Sequence, residues 1–344
     1  MSNPILVEVT RGGHVESRHR ASVAVALPSG ELVLSLGDVQ TPSYPRSAIK
    51  AFQALPLMAN PNVDQMALTD EEIALICSSH SGEPIHVKVA RQILRKACAL
   101  ESELACGAQW PEAEFGYELA AKGQKPGAIH NNCSGKHGAM LALAALIGAG
   151  TLGYTDPQHP VQVQIADAIQ DICSCQVSLA PCGVDGCSAP NWALPFAGVA
   201  TGFARFSNGE GLSEEFAAAA VRIRNAVAAE PYMVAGANRF CTSIMEITKA
   251  RAFVKFGAEG VMCAALPKRN LGIAVKCDDG AARAAEVVMA HLLVAFGAVD
   301  GAQSNFGAFL SPDIFDRKGT KVGKVRATAT LAEALQGGTG AMIA

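Results

Sequence analysis

The stretch YPRSAIKAFQ, residues 44–53, decides what the rest of the chain is built around. Pro42 and Pro45 punctuate a loop, and the residues after Pro45 have helical character, so a helix is expected to begin here. Ser47 and Lys50 then fall three apart, just under one turn, on one face. A serine hydroxyl becomes a nucleophile when a base lies within hydrogen-bond reach, and a lysine desolvated enough to be neutral near pH 7 can be that base. The helix N-terminus also lowers the cost of charge developing on the serine oxygen. By itself S-x-x-K is a weak signal that chance supplies in a chain this long, and its plain reading is an exposed helical pair.

Outward from that stretch, the chain has 344 residues, of which 50% are hydrophobic and only 17% charged, enough to bury a large core. The net charge is −3 with no basic run, which argues against a nucleic-acid partner. The first residues, MSNPILVEVT, lack a basic region followed by an apolar one, so no signal peptide is expected. GAMLALAALIGAG, 138–150, is too short to span a bilayer. The 11 cysteines are irregularly spaced and odd in number, which reads as reduced thiols in a cytoplasmic protein, most of them small buried residues.

Residues 4–10 and 22–36 read as strands, the latter a hairpin around Pro28-Ser29-Gly30. Helical spacing dominates from about 46 to 230. Thr69 with Glu72 forms a capping box, and apolar spacing predicts helices over 86–100, 140–148 and 161–172. After Pro231, residues 251–267 and 271–277 read as short strands, 281–297 as a helix and 321–328 as a polar edge strand. The expected fold is therefore α+β. One domain over 1–344 carries an antiparallel sheet made from both termini (about 1–45 and 231–344) and an inserted helical lobe (about 46–230).

Two further stretches give S-x-x-K its meaning. CSSHSGE, 77–83, offers Ser79, His80 and Ser81 at the end of a helix expected over 69–79, and KFG, 255–257, begins a late strand. S-x-x-K, then Ser-x-Ser, then a strand K-x-G is similar to the order of serine β-lactamases and penicillin-binding proteins. HNNCSGKHGAM, 130–140, contains a GK, but the residue five before Gly135 is His130, and the glycines that cradle phosphate are missing. Cys133 and His137 are four apart at a helix start. PCGVDGCSAP, 181–190, adds Cys182, Asp185 and Cys187, so a zinc site from Cys133, Cys187 and a third ligand is chemically sensible.

Taken together, YPRSAIKAFQ, SSHSGE, HNNCSGKH, CGVDGCSAP, RFCT and KFGAEGV resemble the rhizobial-type L-asparaginases, the asparaginase II family, from about residue 5 to the early 330s. The resemblance implies a serine β-lactamase-like fold, a homodimer, and hydrolysis of L-asparagine to L-aspartate and ammonia. It implies two Ser-Lys pairs, Ser47 with Lys50 and Ser79 with Lys255, and a zinc held by Cys133, Lys136 and Cys187. It also implies a substrate pocket that includes Asp185, His80, Arg46 and Cys241. A lysine must be neutral to bind metal. Two rival readings stand beside this one. The first is a glutaminase or other serine amidohydrolase of the same fold, since one methylene is only modestly discriminated. The second is a non-catalytic zinc-binding relative.

Overall fold

The computed structural model describes residues 2–303 and 305–339. In chain order the strands and helices begin with β1 (Ile5–Arg11), β2 (His14–Ala26) and β3 (Leu32–Leu36). Helices α1 (Lys50–Met58), α2 (Asp70–Ile76), α3 (Pro84–Lys96), α4 (Ala113–Ala121), α5 (Ser134–Leu146) and α6 (Pro160–Cys173) follow. Next come β4 (Cys182–Val184), β5 (Pro190–Trp192), α7 (Phe196–Asn208), α8 (Glu214–Ala229), α9 (Pro231–Ala235) and α10 (Phe240–Thr248). The chain continues with β6 (Phe253–Gly257), β7 (Val261–Leu266), β8 (Leu271–Cys277), α11 (Ala282–Ala295), α12 (Gly307–Leu310), β9 (Asp313–Phe315), β10 (Lys321–Ala327) and α13 (Ala329–Thr339).

These elements fall into two compact units. The first comprises Met1–Ala48, Leu194–Ser207 and Val254–Ala344; the second comprises Ile49–Ala193 and Asn208–Phe253. The helical unit thus runs on to Phe253 rather than stopping near 230. The reason is local: α9 packs on α2, α8 and α10, so the chain joins the sheet only at β6. Helix α7, expected with the helical lobe, belongs with the sheet.

The first unit is built on an eight-stranded sheet in the order β6-β7-β8-β2-β1-β10-β9, with β3 also on β2. β2 is its spine. Residues from His14 to Arg20 pair antiparallel with β1, and Ala21 to Ala26 pair antiparallel with β8, while Val23 to Ala26 also pair with β3. The sequence marks that change of partner: HVESRHR alternates with exposed positions, whereas ASVAVA is buried throughout. A run buried on both faces reads as continuous small apolar residues, as β7 and β8 also do. Helix α7 lies directly on β8. A Cβ on Gly272 would stand 1.9 Å from the Ala200 carbonyl oxygen, so only glycine permits that approach. Strand β10 is not the edge its polar sequence suggested, because β9 pairs with it on the outer side.

The second unit is helical. α5 is buried at every position from Ser134 to Ala144, as expected of a helix that is apolar nearly all round, and α1, α2, α3 and α6 pack against it. The capping box at Thr69 is formed: the Glu72 N–H donates to Thr69 Oγ1 and the Thr69 N–H to Glu72 Oε2.

Candidate active site

In the helical unit the focus is Lys50, at the first turn of α1 and 1% exposed. Its ammonium donates to the Ser78 carbonyl oxygen at 2.5 Å, the Asn132 carbonyl oxygen at 3.4 Å and Ser79 Oγ at 2.9 Å. Two of the three acceptors are carbonyls, which can only accept. The Ser79 hydroxyl is the one partner of the three that can also donate. The resemblance coupled Lys50 with Ser47; the bond made inside this unit is to Ser79. Helix α2 ends at Ile76, three residues before Ser79, so Ser79 lies on an extended segment rather than on the helix. That segment is pinned where the Ser79 N–H donates to the Val234 carbonyl oxygen at 2.9 Å.

His80, next in chain, is fixed in one tautomer. The Gly82 N–H donates to Nδ1 at 3.1 Å, so the proton of the neutral ring sits on Nε2 and donates to Ser134 Oγ at 2.9 Å. Burial, then the charges of His86 and Lys50, hold the His80 pKa well below the usual imidazole value. The His80 ring stacks on His86, and His86 on Tyr232. Glu83, also buried, accepts from Ser81 Oγ at 2.5 Å, from the Ala237 N–H at 3.1 Å and from the Tyr232 hydroxyl. Burial would raise that carboxyl, but these donors outweigh it and hold it below its usual value. Sequence reasoning missed Glu83, Tyr232 and Ser134. Glu83 lay inside the quoted SSHSGE, whereas nothing local marks Tyr232, 149 residues away.

Cys133, Lys136 and Cys187 converge in the same unit. Cys133 sits at the N-cap of α5, and its thiol donates to Asn132 Oδ1 at 2.9 Å. Lys136 Nζ donates to Cys187 Sγ at 3.0 Å. The neighbouring Cys187 thiol, reinforced by the Lys50 and Lys136 charges, holds the Cys133 thiol well below the usual range against the opposing effect of burial. Burial alone would lower Lys136, but the neighbouring sulfurs and Asp185 push it up to about 12. Two sulfurs and one amine brought together are a donor set zinc accepts, so the residues fit the implied metal. As it stands the amine carries a proton that a metal must displace. Among the described residues no group of three or more His, Cys, Asp and Glu could hold a metal; the implied set contains only two such residues and a lysine. Asp185 lies on the loop after β4, half-exposed, with Oδ1 accepting from the Gly186 N–H at 2.6 Å. Cys241 is buried near the start of α10.

The sheet unit holds the other expected residues. Arg46 to Ile49 form a 3-10 turn rather than the start of the α-helix, and Ser47 is half-buried on it. Arg46 enters that turn with φ +53, a left-handed conformation that a bulky residue adopts at a cost of about 1–3 kcal/mol. Lys255 is fully buried on β6, its Nζ donating to the Phe256 carbonyl oxygen at 2.9 Å. Gly257, two residues on, lies on the same strand face. A Cβ there would come within 2.6 Å of the Pro45 carbonyl oxygen and 3.2 Å of the Ala48 nitrogen. The K-x-G spacing therefore has a mechanical reason: the glycine lets the strand face bearing Lys255 press against the turn bearing Ser47.

Comparison with protein families finds a match to L-asparaginase II over residues 7–327, nearly the whole chain. The chain belongs to the L-asparaginase II family. No curated protein sequence matches it at a significant level. Among the described residues no helix is long and apolar enough to cross a membrane.

Proposed function

We propose that this protein is an L-asparagine amidohydrolase working through a serine acyl-enzyme, with Lys50 as the shared base. The observation that carries the reading is the 2.9 Å bond between Lys50 Nζ and Ser79 Oγ in a buried setting. Ser47 is the attacking group in this proposal because it is half-buried and reachable, whereas Ser79 is only 3% exposed.

Ser47 Oγ attacks the side-chain amide carbon of asparagine and its proton passes to Lys50 Nζ. The C–N bond breaks, and ammonia departs with a proton relayed from Lys50 through Ser79. The β-aspartyl ester on Ser47 is then attacked by water, whose proton Lys50 again takes; the ester C–O bond breaks, Lys50 returns the proton to Ser47 Oγ, and aspartate leaves. Lys255, buried on the strand face beside the Ser47 turn, contributes positive potential there. By the family resemblance, Asp185, His80, Arg46 and Cys241 would bind the substrate. Cys133, Lys136 and Cys187 would hold zinc, which when bound supplies an electrophilic anchor for an anionic group such as the substrate α-carboxylate.

Ammonia release from asparagine and from glutamine, assayed on the purified protein, tests the reaction and the choice of substrate. Acid-quenched mass spectrometry tests the nucleophile. The aspartyl adduct is expected on the peptide containing Ser47 and absent in Ser47→Ala. An adduct at Ser79 would transfer the nucleophilic role to that residue, and absence of ammonia release with both substrates would favour the non-catalytic reading.

A further inference from the structure

Two cysteines at the end of α6 lie outside the site described above. α6 closes with Cys173, Ser174 turns into the left-handed region (φ 48°, ψ 46°), and Cys175 follows. The Cys175 N–H reaches back to the Gln170 carbonyl oxygen at 3.2 Å and the Ser174 N–H to that of Asp171 at 3.4 Å, the Schellman way of ending a helix. That backbone fixes how far apart the cysteines stand. A residue of helical φ and ψ, of either hand, holds its neighbours' Cα atoms about 5.4 Å apart, from a rise of about 1.5 Å and about 100° per residue on a radius of about 2.3 Å. An extended residue would hold them roughly 6.7 Å apart. Disulfides require about 4.4–6.8 Å and most often show about 5.5–6 Å. The left-handed Ser174 therefore puts the pair in the middle of the range.

The two thiols also act on one another: the influence of Cys173 outweighs burial and holds Cys175 below the usual thiol range. Cys173 is buried, while Cys175 is partly open to solvent, so one sulfur can be reached and the other stands ready behind it.

We propose that Cys173 and Cys175 form a reversible redox dithiol that small hydroperoxides oxidise to a Cys173–Cys175 disulfide. The Cys175 thiolate attacks a peroxide oxygen, the O–O bond breaks, and the departing alkoxide or hydroxide takes up a proton as alcohol or water. The resulting sulfenic acid is attacked by Cys173 Sγ; its S–O bond breaks and water leaves with the Cys173 proton. The dithiol loses two electrons and the peroxide gains them. A ring closed across a single residue is strained, which makes the bond easy to reduce again.

The test treats the reduced full-length protein with hydrogen peroxide, then alkylates it and maps its peptides by mass spectrometry. The peptide spanning residues 173–175 should lose two hydrogens and resist alkylation, while the exposed Cys98 and Cys182 remain alkylated. Dithiothreitol should restore both thiols. Cys173→Ser should strand Cys175 as a sulfenic acid that dimedone captures. Ser174→Val, whose β-branched side chain favours the extended backbone that parts the Cα atoms to roughly 6.7 Å, should slow closure at least about tenfold, and Ser174→Gly should not. Absence of a 173–175 linkage in the wild type, or equal closure rates in Ser174→Val and Ser174→Gly, would overturn the proposal.

Discussion

At the scale of single residues, the chemistry turns on what a buried amine can do that other cations cannot. Lys50 is surrounded by two carbonyl acceptors and one hydroxyl, so Ser79 is the one partner that can exchange a proton with it in the proposed mechanism. Lys50→Arg keeps the charge but places there a guanidinium that does not deprotonate. Ammonia release is expected to fall by about 10²–10⁴-fold, the usual weight of a general base, with the circular-dichroism spectrum unchanged. Near-normal turnover in a folded Lys50→Arg protein would move the base elsewhere, with Lys255 next in line. Cys187 carries a separate expectation. Zinc should be taken up at roughly one ion per chain, as for a single site. Elemental analysis of Cys187→Ser should find that ion lost, because Cys187 is one of the two sulfurs of the set and accepts from its lysine, Lys136. Undiminished zinc in that variant would place the metal at other residues.

At the scale of elements, Gly257 governs how β6 meets the Ser47 turn. Gly257→Ala sets a methyl 2.6 Å from a backbone oxygen, which has no rotamer to escape through. The turn must shift, and a displacement near 1 Å at a catalytic group costs about 10²-fold in rate. Overpacking should cost about 1–3 kcal/mol of stability as well. Urea unfolding and steady-state kinetics on the same sample check both, and an unchanged kcat would show that the close approach serves packing alone. The same comparison explains what could be read from sequence. The capping box at Thr69, the helices expected over 86–100 and 161–172 and the strand at Lys255 all declare themselves through local patterns, and the structure forms each of them, the first ending already at Lys96. Legibility ended where distant segments meet. The Glu83–Tyr232 bond joins residues 149 apart, and the pairing of Lys50 with Ser79 depends on how the segment after α2 is pinned to Val234. The β10 edge was misread because a three-residue strand such as β9 carries too little pattern to register.

At the scale of the whole molecule, burial of histidines sets how stability depends on pH. His80, His86 and His137 are buried in the helical unit, and burial is the largest influence lowering each of their pKa values. The groups facing His86 are the His80 ring, the Tyr232 carbonyl oxygen and ring, and the Glu83 carboxylate; the latter two favour protonation without overcoming burial. The sign follows from linkage. Below about pH 6.5 the unfolded chain binds protons at these histidines while the folded chain does not, so the unfolded state binds more protons and stability falls as pH falls. The contribution is fully present above about pH 6.5 and is lost progressively toward the lower folded pKa values. Each such histidine adds a slope of up to about 1.4 kcal/mol per pH unit, and three give about 4 kcal/mol per unit at the steepest. Glu83, held below its usual value by its three donors, acts in the same direction but only near pH 4 and below. The urea midpoint is therefore expected to drop between pH 7.5 and 5.5, before carboxylates titrate. His86→Gln can retain a donor to the Tyr232 carbonyl oxygen but has no proton to take up, so it should flatten the slope by about one histidine's share. A midpoint unchanged between pH 7.5 and 5.5 in the wild type would mean that these rings bind their protons as readily folded as unfolded.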